Sequence, residues 1–280
     1  MKRMTAIIND IIPFSSVDGP GNRTVVFFQG CNFNCSYCHN KETISLCKNC
    51  GICVEFCENE ALIYKDNKVT FNREQCSGCD CCINACPNSS TPKGRKITVE
   101  ELFNTIKKYT PFISGITVSG GECTLWNEFL IALFKLCKGE GLSCLIDSNG
   151  SNNFKNMKEL LDLSDGVMLD IKSWDNNIHK VQIGESNEIV KENFLYLLER
   201  NKLKEVRTVV LMNDLNNEET VGEVSRILGE KNENIRYKLI KFRNHGVRKS
   251  MKDKKGPDDG CMMELKNIAE KNNCKNILIV

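Results

Sequence analysis

Three cysteines, Cys31, Cys35 and Cys38, stand within "GCNFNCSYCHN", directly after the apolar run "TVVFFQ". A structural zinc site takes four ligands and a disulfide takes two, so the segment supplies neither number by itself. Seventeen cysteines in 280 residues extend the problem to the whole chain. The opening "MKRMTAIINDIIPF" has its apolar run broken by Asn9 and Asp10 and is followed by no small-residue cleavage site. Nor does any stretch approach the roughly eighteen apolar residues of a membrane span. A cytoplasmic chain is expected, and there thiols stay reduced and clustered cysteines read as metal ligands.

Charge narrows little. With 38 basic and 36 acidic residues the net charge is +2, which gives no reason to expect nucleic acid or an anionic membrane as partner. The 41% hydrophobic content suits a chain with a proper core.

Outside residues 41–96, short apolar runs alternate with amphipathic stretches, the pattern of strand–helix units around a parallel sheet. The runs at 25–28, 116–118, 144–146, 167–171, 206–211, 237–240 and 277–280 read as strands. Thr98 and Glu101 form a capping box for a helix with Leu102, Phe103 and Ile106 on its apolar face. A second helix carries Leu125, Phe129, Leu133 and Phe134 on one side. The expected class is α/β, a complete or partial parallel barrel, which places chemistry at the C-terminal ends of its strands. "GCNFNCSYC", "SGGEC", "DSNG" and "DIKS" all follow strand candidates, so polar and metal-binding residues gather at one rim.

Residues 41–96 break this rhythm, with nine cysteines, few apolar stretches and the polar turn segment "NSSTPKGRK". A segment so short of core relies on metal or disulfide staples. Cys47, Cys50, Cys53 and Cys57 form C-x-x-C-x-x-C-x-x-x-C, and Cys76, Cys79, Cys82 and Cys86 repeat the spacing with Pro87 following. Two such runs are the signature of a bacterial-type ferredoxin, where each run lends its fourth cysteine to the other cluster. A 4Fe-4S cluster is thus expected on Cys47, Cys50, Cys53 and Cys86, and another on Cys76, Cys79, Cys82 and Cys57. Glu58 stands where proline is usual, and Cys81 is read as a spare thiol. Two four-cysteine zinc sites are the alternative, although zinc ribbons pair C-x-x-C knuckles instead.

With eight cysteines so used, Cys31, Cys35 and Cys38 would hold a cluster whose remaining iron lacks a protein ligand. An open metal position is where substrate binds. At this point the chain resembles the radical S-adenosylmethionine (SAM) superfamily, whose hallmark is this spacing with an aromatic residue, here Tyr37, before the last cysteine. The resemblance implies that the open iron chelates SAM and that an electron from the cluster cleaves it to methionine and a 5′-deoxyadenosyl radical. It narrows further, because "VDGPGNRTVVFFQGCNFNCSYCHN", "SGGE", "DSNG" and "VMLDIK" are similar to the motifs of glycyl radical enzyme activating enzymes over nearly the whole chain. With the insert, the chain looks most like the YjjW-type activases.

The resemblance implies a fold and a set of site residues. The fold is a partial (β/α)6 TIM-like radical SAM barrel over 1–40 and 97–280, with 41–96 inserted as a ferredoxin-like two-cluster module. Tyr37, His39 (through its backbone), Asn40, Gly120, Gly121, Glu122, Asp170, Lys172 and Arg207 would bind SAM. Asp147, Ser148, Met168 (through its carbonyl) and Asp170 would hold a monovalent cation. Asp18 of "DGPG" would contact the glycine-bearing loop of the protein substrate, a simple Asp-Gly turn being the plainer reading. For Asp147 and Asp170 the plainer reading is helix capping.

"KFRNHG" departs from the family, placing Arg243 where a histidine commonly holds the adenosine, with His245 as a substitute. His179 reads as a surface helix residue, and Cys137 and Cys144 as core. The implied partners are a glycyl radical enzyme as substrate and reduced ferredoxin or flavodoxin as electron donor, for a monomeric enzyme. A radical SAM enzyme acting on a small molecule, or an iron-sulfur electron-transfer protein, are the competing functions.

Overall fold

The computed structural model describes residues 4–280. The chain opens with β1 (Thr5–Ser15) and β2 (Arg23–Phe28), and residues up to Gly94 then hold a small hairpin of β3 (Leu62–Lys65) and β4 (Lys68–Phe71) and the short helix α1 (Cys81–Ala85). It continues through β5 (Arg95–Thr98), α2 (Val99–Lys107), β6 (Gly115–Gly120), α3 (Asn127–Gly139), β7 (Ser143–Ser148), α4 (Lys158–Leu163) and β8 (Gly166–Asp170). Then come α5 (Asn176–Ile183), α6 (Glu188–Glu199), β9 (Leu203–Val210), α7 (Asn217–Lys231), β10 (Arg236–Lys241), α8 (Asp259–Lys271) and β11 (Ile277–Ile279).

Among the described residues nine strands form one sheet in the order β11-β10-β9-β8-β7-β6-β2-β1-β5. From β2 to β11 every pairing is parallel, and only β1 runs antiparallel to its neighbours β2 and β5. The sheet ends in β5 and β11 without closing, so the architecture is an open α/β sheet of βα units, as a partial barrel requires. No helix among the described residues is long and apolar enough to cross a membrane.

Each of the seven strand runs read from sequence falls on an observed strand, with 167–171, 206–211 and 277–280 each running one residue past its end, because strands covered on both faces carry near-continuous apolar sequence. β1 escaped that reading. Its register slips between Ile8 and Asp10, so a bulge at Asn9 breaks the apolar alternation. β5 escaped too: Arg95 and Lys96, read as part of a polar turn, pair with Ile8 and Ile7 at the sheet's edge, so the boundary expected after residue 96 falls inside a strand.

The capping box at Thr98 is present, and Leu102 and Ile106 are fully buried while Phe103 is partly so. Leu125 is a correction. It sits in a 3-10 turn, Cys123–Trp126, before α3 begins and is 46% exposed, while Phe129, Leu133 and Phe134 do face the core. Cys137 and Cys144 are fully buried, as free apolar cysteines tend to be.

The loop between β1 and β2 turns inward over the sheet. Arg23 is buried to 1% exposure and donates to Thr117 Oγ1 (2.9 Å), to the carbonyls of Ile116 (2.6 Å) and Ser143 (3.0 Å), and to that of Pro20 (3.2 Å), fixing the loop's end.

Candidate active site

β2 ends at Phe28, and the chain leaves the sheet's C-terminal rim through Gly30 into the three cysteines. Two main-chain bonds brace this loop: Gly30 N–H donates to the Thr43 carbonyl and Cys31 N–H to the Ile44 carbonyl, both at 2.8 Å. Across the rim, β6 ends in Gly120, and Gly121 follows it. A side chain on Gly120, whose φ is +124°, would strike the Phe28 backbone at 2.2 Å, and one on Gly121 would strike the Gly30 carbonyl at 2.2 Å. Only glycine allows the two rim loops to approach so closely.

Between them opens a cavity of about 190 Å³. Of the residues named from sequence, Cys31, Cys35, Tyr37, Cys38, His39, Asn40, Gly120, Gly121, Asp147, Ser148, Asp170 and Lys172 line it. Burial pushes the Cys31 thiol up to about 12 and Cys38 up to about 11, and raises Cys35 as well. Iron must therefore displace protons to bind there. Three thiols beside a cavity whose other walls carry both polar and apolar groups fit a cluster with one open metal position.

Buried charge forms part of the cavity wall and, at Arg207, the layer behind it. Burial opposes the positive charge of Lys172, and Asp170 at 2.7 Å outweighs it, raising the pKa. Asp147 is also raised, first by burial, against the pull of Arg207 at 2.9 Å; the charges of Asp170 and Asp18 add to the rise. Ser119 Oγ donates to Asp147 at 2.9 Å.

The remaining sequence candidates do not line the cavity. Glu122 is buried beneath it, accepting from Thr124 N–H (3.1 Å) and Oγ1 (2.6 Å), Ser148 Oγ (2.9 Å) and Asn149 N–H (2.7 Å), and so fixes the "DSNG" loop. Arg207 lies on Asp147 and Glu205, with Nη2 3.1 Å from Met168 Sδ. Asp18 lies in the inturned loop, its carboxylate accepting from Ser15 Oγ at 2.6 Å.

One histidine reading is corrected, that of His179, and His245 is not on the cavity wall. His245 is exposed and outside the cavity, because the chain turns at Gly246 (φ +76°) and buries Phe242 and Val247 on either side of it. Its neighbour contributes through the backbone instead: His39 Nε2 lies 2.6 Å from the Arg243 carbonyl. His179 is only 1% exposed, with Nδ1 2.6 Å from the Glu185 carbonyl and its ring edge-on to Phe33 at 5.4 Å.

Sequence reasoning passed over Phe33, Thr43, Ile44, Ser119, Asn149 and Val209, all on the cavity wall. Asn149 and Ser119 stood inside quoted motifs. Val209 follows Glu205 and Arg207 at every second residue of β9, the period that puts them on one face.

In the segment after β2, one small pocket is lined by Cys47, Cys50, Cys53 and Cys86, and another by Cys57, Cys76, Cys79 and Cys82, with Cys81 in neither. The two cysteine runs also share a backbone course. Asn49 and Gly78, Gly51 and Asp80, and Glu60 and Ser89, equivalent positions in the two runs, are all left-handed.

Residues 25–226 match the Radical SAM superfamily. The chain belongs to that superfamily. It is similar to the (2S)-3-sulfopropanediol dehydratase activating enzyme of Klebsiella oxytoca, at 32% identity with 87% of this chain and 84% of that one aligned. It is similar also to the isethionate sulfite-lyase activating enzyme of Oleidesulfovibrio alaskensis, at 30% identity over 89% of this chain and 87% of the relative. Among solved structures, QueE from Escherichia coli shares the fold with a TM-score of 0.54 at 13% identity, covering 99% of this chain and 94% of that one. As a radical SAM oxidoreductase, the protein uses SAM and a 4Fe-4S cluster, and the cavity at the rim is where its geometry can accept both.

Proposed function

We propose that this radical SAM enzyme activates a partner glycyl radical enzyme by removing a hydrogen atom from a backbone glycine. The observation that carries the reading is the three-cysteine cavity, with Gly120, Gly121, Asp147, Asp170 and Lys172 converging on it, in a chain about a third identical to an activating enzyme over most of its length. The bound cluster and SAM would supply the electron and the 5′-deoxyadenosyl radical; the chain's own residues bind, orient and shield. Cys31, Cys35 and Cys38 would hold the cluster, and Gly120 and Gly121 leave main chain open to the amino-acid end of SAM. Lys172, Asp170 and Arg207 supply charges of both signs for its carboxylate and ribose. Asp147, Ser148, Met168 and Asp170 are the candidates for a monovalent cation beside it.

We further read the segment 41–96 as a two-cluster relay fed by reduced ferredoxin or flavodoxin. In its favour, each small pocket gathers one of the crossed four-cysteine sets that the ferredoxin motif calls for. The chain runs from Ile44 on the cavity wall to Cys47 in three residues, a reach of at most about 11 Å, so this cysteine set stands next to the catalytic cavity.

Anaerobic reconstitution tests the assignment. About twelve irons per chain are expected, as three four-iron clusters, and about four fewer when Cys31, Cys35 and Cys38 are replaced by alanine, with reductive SAM cleavage lost. Full cleavage by that triple variant, or zinc in place of iron and sulfide, would overturn the reading.

A further inference from the structure

Glu205 on β9 and Lys238 on β10 line no part of the cavity, yet they are only 3% and 8% exposed. Burying an ion pair costs several kcal/mol per ion and seldom adds net stability, so the pair calls for a use. Lys238 Nζ stands 3.0 Å from Glu205 Oε1, and its other contact is the main-chain carbonyl of Val17 at 3.4 Å.

Val17 belongs to the inturned loop between β1 and β2. The Asp18 carbonyl there accepts from Thr117 Oγ1 at 2.6 Å, and a side chain on Gly19 would strike Leu145 at 2.6 Å. The loop thus rests on β6, β7 and β10 at the level of Thr117, Leu145 and Lys238. Ser119 and Asp147, two residues further along β6 and β7, line the cavity. Two residues of strand advance about 7 Å, which sets the loop's depth below the cavity. Glu205 meanwhile accepts from Arg207 Nε at 2.6 Å, and Arg207 Nη1 meets Asp147 at 2.9 Å. One glutamate therefore grips both the lysine that holds the loop and the arginine beneath the cavity.

We propose that Lys238 and Glu205 are positioning residues, a latch that fixes the 16–22 loop at the depth where Asp18 meets the partner's glycine segment and ties that depth to Arg207 and Asp147. The latch rests on the activating function proposed above. Arg23 holds the loop's far end through Pro20, and Lys238 holds its near end through Val17. Removing Lys238 leaves Glu205 paired with Arg207 at 2.6 Å and Arg236 at 3.5 Å, so no buried charge is orphaned.

Hydrogen exchange on the reconstituted full-length enzyme tests the latch without any partner. A charge-assisted bond is worth about 1.5–3 kcal/mol, so Lys238→Met should speed exchange of the loop's amides about tenfold or more, with β9 and β10 unchanged and Lys238→Arg near wild type. With a glycyl radical enzyme that accepts the radical as substrate, its KM should rise about tenfold by the same bond energy while the KM for SAM stays within about twofold. Unchanged loop exchange in Lys238→Met, or both KM values rising together, would overturn the latch. Should wild-type enzyme transfer no radical to any partner, the activating function falls, and the exchange result still judges the latch.

Discussion

Asn149 holds its Nδ2 3.5 Å from Cys31 Sγ, the one side-chain donor among the described residues placed on a sulfur of the three-cysteine cavity. Hydrogen bonds to ligand sulfurs stabilise the reduced cluster and set its potential. A bond contributing about 1 kcal/mol more to the reduced form corresponds to about 40 mV for one electron. Asn149→Ala should therefore move the midpoint of the catalytic cluster to a more negative value by about that amount, read by redox titration with electron paramagnetic resonance detection. An unchanged midpoint would remove Asn149 from the cluster's surroundings. This residue stood in plain view in "DSNG", flanked by residues that were singled out. What the sequence could not convey is that Glu122 grips the Asn149 backbone at 2.7 Å and so turns its side chain toward Cys31. The cysteines themselves were legible because their spacing is their chemistry. The position of His245 off the cavity wall was not legible, because a loop's side-chain direction depends on where its chain turns, here at Gly246.

At the scale of elements, the parallel strands were legible because burial on both faces leaves uninterrupted apolar runs. The antiparallel pair at the sheet's edge was not. β1 carries a bulge and alternates with half-exposed positions, while β5 opens with Arg95 and Lys96 at an exposed edge, where charge is normal. In the segment between β2 and β5 the repeat was legible as cysteine spacing, and the structure adds left-handed positions shared by its two halves. The crossed assignment makes a prediction of its own. Cys47→Ala with Cys86→Ala should lose about four irons, no more than either single change, whereas Cys47→Ala with Cys57→Ala should lose about eight. Iron and sulfide analysis after anaerobic reconstitution decides it, and an uncrossed pairing would exchange the two outcomes.

Across the whole molecule, the open sheet brings three things around one cavity. The three-cysteine cavity lies at the rim, the inturned "DGPG" loop lies beneath it on the same face, and the two-run cysteine segment departs from the cavity wall at Ile44. Electrons entering through the segment, SAM at the rim and a glycine segment reaching toward Asp18 would meet at that cavity. Topology could be anticipated from the βα rhythm, yet the inward fold of the loop could not, since it depends on Arg23, Thr117 and Lys238 from three separate strands. The most direct measurement is electron paramagnetic resonance of a candidate partner glycyl radical enzyme, after anaerobic incubation with the reconstituted chain, SAM and a reductant. A glycyl doublet that appears in the partner, and that fails to appear with the Cys31, Cys35 and Cys38 variant, is the predicted result. Vigorous SAM cleavage with no doublet in that partner or in other glycyl radical enzymes would contradict it.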